Sequence, residues 1–592
     1  MMYFLLSTSD IKGFNVKITG ANSVVTGSNK NSIVNLNNVN ISNNQTGIKT
    51  AGSISIKGNS TIENNGDGIA VTSADSVITL DATDATISLR DKLTGITGSK
   101  LKINNGIVNF EQKVSALDVM MENSTANLNA DNLFDGNNMT VNSASNLNLA
   151  NNAVGVMQLN KFTLKDNLNL AVDVDLANKT MDRIVASNYD LGSNLVNVNQ
   201  MNLLTSTDRT VTSILFADNG LKNNVNTSIS EVAYSPIWKY GVNYNKENGN
   251  FIFTRVGGDN PTPASYNPAV MVSPVAAQVG GYLGMLDTYN NAFTNMDIRM
   301  LQPSSVRVAE KMANRYAITE PKGAEFVNTE RSSGGTWVRP FTSYDSVGLK
   351  HGPKVHSTSY GSFFGGDTGI HELGKGFDGV LSAHISYLGS HQSFNGNSIY
   401  QNGGNIGLTG TLYKGNFFTG LSAVTGASIA DASTMYGTET FPVFTTGVAN
   451  KTGYNVEFKD GRFILQPSLL LSYTYVNTFN YTNAADVKIA GDGLHAVQIN
   501  PNIRFIANTK TGWQPYLTFG FNWNIMNDSQ YMANATALPA LSVKPYFQYG
   551  LGIQKLLGDN ITGYAQIVLR NGGRNGIAAN AGFKYTFGKE TL

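Results

Sequence analysis

Along the last 250 or so residues, apolar and polar side chains take turns with a period of two, run after run. Between 513 and 525 the odd positions are Trp513, Leu517, Phe519, Phe521, Trp523 and Ile525; the even ones include Gln514, Thr518, Gly520, Asn522 and Asn524. The pattern recurs in 463–475, 543–554 and 577–587, where for example Ile577, Phe583, Tyr585 and Phe587 alternate with Asn580, Gly582 and Lys584. Turn dipeptides separate such runs: Asn395-Gly396, Asp460-Gly461, Asp492-Gly493 and Asn575-Gly576. Twelve segments are predicted, beginning near 336, 356, 377, 400, 416, 443, 461, 491, 512, 543, 559 and 576. A soluble sandwich alternates in the same way. Runs of roughly 10–13 residues nevertheless suit a tilted bilayer crossing, whereas soluble strands average about five or six. The even count and the aromatics near strand ends also fit a lipid-facing barrel. Closure satisfies the backbone hydrogen bonds that lipid cannot.

The first region, 13–255, has another rhythm. Ile41–Ile48 reads ISNNQTGI and Ile62–Ile69 reads IENNGDGI, an offset of 21 residues with Asn43/Asn64, Asn44/Asn65 and Gly47/Gly68 in step. Asn104-Asn105-Gly106-Ile107 echoes them about two periods on. Short alternating runs lie between: Ser53–Lys57, Val77–Leu80, Thr86–Leu89, Lys100–Ile103 and Asn146–Leu149. A period near 20 with three short strands per turn predicts a parallel β-helix, whose coils bury their apolar faces only by stacking. Stacked Asn side chains then form hydrogen-bonded ladders.

Between the two regions, 256–335 opens with Pro261, Pro263, Pro268 and Pro274 and continues into a small, apolar, weakly charged stretch. A helix is predicted near 276–300. Too polar for lipid, it suits the polar lumen of a barrel. The predicted fold is therefore all-β: a parallel β-helix over 13–255, a linker with its helix over 256–335, and a 12-stranded antiparallel transmembrane β-barrel over 336–588.

Composition narrows the function. Forty-two Lys and Arg against 41 Asp and Glu give a net charge of +1, which argues against a phosphate-driven nucleic-acid partner. Charged residues are 14%, below the usual ~25%; with 60 Gly and 10% aromatics this points to many strands and tight turns rather than to a helical enzyme. Cysteine is absent, which removes disulfides, thiolate metal sites and a cysteine nucleophile. No stretch approaches the ~18–20 apolar residues of a spanning helix. The start, MMYFLLSTSD, lacks the basic residues, apolar length and cleavage site of a secretory signal. An exported body then implies that the natural start lies upstream.

Candidate chemistry is sparse. Gly369–Gly376 (GIHELGKG) has phosphate-loop spacing, but Gly376 stands where Ser or Thr would hold magnesium. All six His lie in the barrel region, so no Ser-His-Asp triad forms in the first half. His384 and His391 are seven apart on one strand and so face opposite sides. Asp67, Asp75, Asp81 and Asp84 on the β-helix read as turn residues, or as paired carboxylates of a polysaccharide-acting enzyme if two lie ~5–9.5 Å apart in a groove. Lys544, Lys584, Arg504 and Arg570 fall on or near the polar face of the barrel strands. No cofactor or metal site is predicted.

The order of these parts resembles a monomeric autotransporter of Gram-negative bacteria. Ala171–Ser187 (AVDVDLANKTMDRIVAS) is similar to the Asp-rich segment near the end of such passengers, and Tyr240–Arg255 to the final passenger coil. Trp337–Tyr344 (WVRPFTSY) is similar to the family's first barrel strand, and the closing AGFKYTF to the last. Family barrels end on an aromatic, whereas Gly588–Leu592 follows Phe587 here. The resemblance implies type V secretion: outer-membrane lipid and the barrel assembly machinery as partners, and a passenger folding outside the cell without ATP. Each coil folded outside would bury apolar surface at about 25 cal/mol per Å². It also implies a low-frequency alternative, self-cleavage between Asn290 and Asn291. The expected passenger is a non-enzymatic, adhesin-like display unit that meets a host surface or extracellular ligand. The rivals are a displayed polysaccharide-acting enzyme and a plain porin-like channel.

Overall fold

The computed structural model describes residues 8–18, 23–27, 30–227, 232–262, 264–299, 334–350, 352–394, 396–509, 511–526, 531–557 and 560–587. The apolar N-terminal start, the linker beyond Arg299, Asn395 and the Gly588–Leu592 tail lie outside the described residues. The chain divides into two compact units, Met1–Pro261 and Thr262–Leu592.

The first unit is a β-solenoid whose strands stack in parallel, coil on coil. The register aligns like with like. Val34 pairs with Ile54, Ile54 with Ile78, Ile78 with Leu101, Leu101 with Val119 and Val119 with Met139. All six are at most 6% exposed, so one apolar column runs through the coils. A second column runs Ile41, Ile62, Leu89, Phe110 and Leu128. The coil length is not constant: partner offsets are 20 residues at Ile33/Ser53, 24 at Ile54/Ile78 and 28 at Leu168/Val196. An antiparallel sheet that includes Val211–Leu215, Lys239–Asn245 and Asn250–Arg255 closes the unit, with Arg255 stacked 4.7 Å from the Trp238 ring.

The 21-residue repeat is a repeat of corners. Asn43 and Asn64 both take left-handed backbone (φ 58° and 56°), which Asn tolerates better than other L-residues. Asn44 Nδ2 donates to Asn65 Oδ1 at 2.9 Å, and Asn65 Nδ2 to Asp91 Oδ2 at 2.7 Å. The third echo turns a different corner. Asn105 and Gly106 (φ 46° and 84°) stack between Asp81 and Asn123 instead, with Asn105 donating to Asp81 and Asn123 donating to Asn105. The expected Asn ladders are present on the outer faces. Asn226 donates to Asn197, Asn197 to Asn169, Asn169 to Asn146 and Asn146 to Thr125, at 2.9 to 3.4 Å. Val77–Leu80 and Thr86–Leu89 are two halves of one strand, Val77–Leu89, joined through an irregularity at Ala82.

In the second unit twelve long strands close into an antiparallel barrel. In chain order they are β1 Gly335–Lys350, β2 Lys354–Asp367, β3 Phe377–Phe394, β4 Asn397–Lys414, β5 Phe417–Thr434 and β6 Gly437–Tyr454, then β7 Phe463–Thr478, β8 Leu494–Ala507, β9 Gln514–Met526, β10 Tyr546–Leu557, β11 Ile561–Gly572 and β12 Arg574–Thr586. β1 pairs with both β2 and β12, so the sheet has no free edge. Pairing along the β1–β12 seam lapses between Val338/Phe583 and Phe341/Asn580. Pro340 sits there and has no N–H to donate. The outward positions form an apolar belt: Ile385, Ile406, Leu421, Phe519, Phe547 and Leu551 are 54–62% exposed. Water would penalise such a belt; lipid accepts it.

One turn differs from expectation. The turn between β11 and β12 is Gly572-Gly573, and Asn575-Gly576 lies within β12. Asn575 staples that turn instead, accepting from the Gly572 N–H and donating to its carbonyl at 3.0 and 2.9 Å.

Candidate functional site in the barrel lumen

The inward positions of the strands are polar and occupied. A helical run enters at Pro268, passes through a π-turn at Val272–Ala276 and continues as helix α1, Ala277–Ala292. Residues up to Arg299 extend it. Nearly every residue of α1 is buried, although the helix shows almost no one-sided apolar stripe. A barrel wall surrounds a helix on all sides, so no single face is favoured.

Small residues let α1 approach the wall. A side chain at Gly280 would meet Gln401 Oε1 at 2.3 Å and Gln392 Nε2 at 2.6 Å, and one at Gly281 would meet Val476 at 2.8 Å. Hydrogen bonds then fix the depth. Tyr282 Oη donates to Asn524 at 2.8 Å, Tyr289 Oη to the Tyr473 carbonyl at 2.9 Å, and Asn405 Nδ2 to Thr288 Oγ1 at 2.8 Å.

Charge locks both ends of the helical run's lower half. Asp287 lies 3.4 Å from Arg570 and 3.9 Å from Arg574 and accepts from Ser343 at 3.2 Å. The same two guanidiniums clamp the wall residue Asp345 at 2.6 to 2.9 Å. One turn past α1, Asp297 is held by Lys451 at 2.6 Å and Arg504 at 2.7 Å. Asn295 donates to Asp367, which also accepts from Trp337 and Lys584. Arg339 donates to the Asn291 carbonyl and to Asn295 Oδ1, with its guanidinium 3.9 Å from the Trp337 ring. Each of the four buried acids meets a base, as a low-dielectric interior requires, whereas Arg339 is satisfied by neutral acceptors and the Trp337 ring.

Of the basic residues expected on the polar face, Arg504, Arg570 and Lys584 thus point inward and are paired, whereas Lys544 is exposed in the segment between β9 and β10. The acidic partners Asp287, Asp297, Asp345 and Asp367 were not singled out from sequence. For Asp345 and Asp367 a signal existed: isolated charges at inward-parity positions of otherwise neutral strands.

Asn290 and Asn291 stand in the last turn of α1, beside a lumen cavity lined also by Thr294, Lys451 and Arg504. Their amide nitrogens donate back to the Leu286 and Asp287 carbonyls at 3.0 and 2.8 Å. Both side chains are thereby engaged in helix hydrogen bonds.

The other candidates do not assemble. The Gly369–Gly376 stretch forms a strand–turn–strand, with His371–Gly374 pairing back on β3 through left-handed Lys375 and Gly376; no helix follows to hold a phosphate. His384 is buried in the lumen face, and His391 faces outward against Tyr400. Among the described residues no three His, Asp or Glu side chains group as a metal site. On the solenoid, Asp75 sits in a turn, Asp67 begins a strand, and Asp84 lies within the strand Val77–Leu89 in left-handed backbone. Burial pushes the Asp81 carboxyl up, but hydrogen bonds from Thr83 and Asn105 and the charge of Lys57 outweigh it and leave it below the ordinary range. An acid catalyst needs the opposite shift. The carboxyls that do meet are Asp131 and Asp182, which share a hydrogen bond, with Asp173 beside them. They are 6%, 0% and 0% exposed, closed off from solvent.

Residues 336–567 match the family model for the autotransporter beta-domain. Solved structures with similar barrels include the beta domain of the Bordetella autotransporter BrkA (15% identity, 43% of this chain, 100% of that one, TM-score 0.36). The transport unit of AIDA-I from Escherichia coli is 17% identical over 48% of this chain and 99% of that one, with a TM-score of 0.38. The translocator domain of NalP from Neisseria meningitidis is 12% identical over 48% and 99%, with a TM-score of 0.34. No curated protein matches the sequence.

Proposed function

We propose that this chain, whose residues 336–567 match the autotransporter beta-domain, is an outer-membrane autotransporter that carries its β-solenoid passenger on the extracellular side and keeps it tethered as an adhesin-like display unit. The observation that carries the tethering is the helix locked in the lumen. Asp287, Asn295 and Asp297 bind the helical run to Arg570, Asp367, Lys451 and Arg504, while the amides of Asn290 and Asn291 are committed to helix bonds. A side chain bonded to its own helix is not poised to attack the neighbouring peptide. Insertion uses the barrel assembly machinery acting on β12, and the passenger folds outside by stacking coils, each burying further members of the apolar columns.

The adhesin reading is supported by the long outer ladders of Asn side chains on the solenoid. A plain porin is disfavoured because the lumen holds a helix.

Whole cells treated with external protease should lose the passenger and retain a protected barrel fragment. Without protease, boiled membranes should show one band for the 63.5 kDa chain. Two fragments in untreated cells would instead establish cleavage at the Asn290–Asn291 bond, and an Asn290→Ala variant would then restore the single band.

A further inference from the structure

The two rims of the barrel's outer surface carry different chemistry. The helical run crosses the lumen from Tyr266 and Asn267, bonded beside Ala537 and Tyr436, to Asp297 beside Lys451 and Arg504. The first of these ends faces outside the cell, because the extracellular passenger leads into it. At the periplasmic rim, cations sit over aromatic rings: Lys414 is 4.6 Å from the Phe377 ring and Lys555 is 4.8 Å from the Trp513 ring. At the extracellular rim, imidazoles sit on tyrosines. His356 lies 3.2 Å from the Tyr344 hydroxyl, His391 stacks on Tyr400 at 4.3 Å, and His495 lies 2.7 Å from the Tyr473 hydroxyl.

Two of these pairs merge into one patch. Thr358 pairs with His391 and Ser393 with His356 across β2 and β3, so both imidazoles project from adjacent strands on the outward face. Lys354 projects two residues above His356 at the start of β2, opposite Gly348 of β1, and Lys350 ends β1 two residues further on, paired with Ala540; both lysines are exposed. Lys354 has no bonded partner among the described residues. The outward positions of β1 and β2 carry no acid. The nearest described carboxylate on the outward face is Asp431 of β5, beside Tyr400 and already accepting from Thr440 at 2.7 Å.

A lipid-facing rim with two lysines, two imidazoles and two phenols offers N–H and O–H donors around positive charge. That set suits a phosphate at the polar–apolar boundary, with acyl chains running down the belt below. We propose that Lys350, Lys354, His356 and His391, with Tyr344 and Tyr400, bind the phosphate-bearing sugar head group of an outer-leaflet glycolipid. The site anchors the β1–β4 wall in the outer leaflet, next to the β1–β12 seam.

The test uses the full chain in mild detergent, with diphosphorylated lipid A as the probe and retained glycolipid per protein as the readout. Lys354→Gln should lower retention about fivefold, the effect of one rim charge, and the combined Lys354→Gln, His356→Gln and His391→Gln variant further. Lys555→Gln at the other rim should leave it unchanged. Dephosphorylated lipid A should be retained equally poorly by wild type and triple variant, and excess inorganic phosphate should not displace the lipid. Equal retention by wild type and triple variant overturns the proposal, as does equal binding of the dephosphorylated probe. Displacement by inorganic phosphate overturns the lipid source. Slower migration of unboiled protein would flag a variant that misfolds, in which case the single substitutions are read. The orientation it rests on is checked separately. The chain has no cysteine, so a lone Pro353→Cys should react with an impermeant maleimide on whole cells.

Discussion

Asp182 holds a proton where most aspartates have lost theirs. Burial pushes its carboxyl up to about 9, and the charge of Asp131 acts in the same direction against backbone donors from Asp173 and Gly155. Because the folded value lies above the unfolded one, the folded solenoid binds a proton that the unfolded chain releases. The stabilisation is complete below pH about 4 and is lost as pH rises towards about 9, by at most ~1.4 kcal/mol per unit. The urea midpoint of the passenger transition should therefore be higher at pH 5 than at pH 8. Asp182→Asn, which mimics the protonated form, should flatten that difference; a midpoint rising with pH would refute the assignment. Nothing about Asp182 in the string of letters marks it out from Asp175 seven residues earlier, which burial also pushes up but which hydrogen bonds from Thr205 and Asn178 hold low. Only the coil-to-coil register brings Asp131 to it.

Helix α1 and the barrel strands show what an element contributes beyond its residues. The strands were legible because each must present one face to lipid and one to the lumen, and a period of two records that constraint. The helix was legible as a helix, and its small, weakly charged composition, too polar for lipid, pointed to the polar lumen. Its depth and rotation were not legible, because these depend on which lumen groups it meets. Gly280 and Gly284 make the distinction testable. A side chain at Gly280 would strike Gln401 and Gln392, whereas one at Gly284 would find Leu388 no nearer than 3.8 Å. Gly280→Leu should lower the yield of barrel that migrates fast without boiling, and Gly284→Ala should leave it near wild type. Equal yields would mean that α1 does not pack against β3 and β4 as described. The solenoid corner at Asn104–Ile107 carries a related lesson. Its letters match Ile41–Ile48 locally, but the partner that Asn105 meets is Asp81, so similar turn chemistry serves two different corners.

For the whole molecule, the decisive property is that the cylinder is closed and filled. A 12-stranded wall without a plug would leave polar side chains lining a water path. Removing residues 268–299 in frame should raise single-channel conductance in planar bilayers several-fold above the nearly closed wild type, and it would leave the Arg570/Arg574–Asp345 clamp in place. No change in conductance would show that the helix does not block the lumen.

By itself the sequence determined the periodicities, two in the barrel and near twenty in the solenoid, and one small-residue, weakly charged helix between them. Those follow from local chemistry, since strand pleat, turn residues and lipid exposure act on neighbours along the chain. The sequence did not determine which acids meet which bases in the lumen, that Asp131 and Asp182 share a proton, or that Lys354, His356 and His391 form one outward patch. Those pairings join residues tens to hundreds of positions apart. Their energies depend on strand register and on the low dielectric inside the folded wall, which exist only once the cylinder has closed and the coils have stacked.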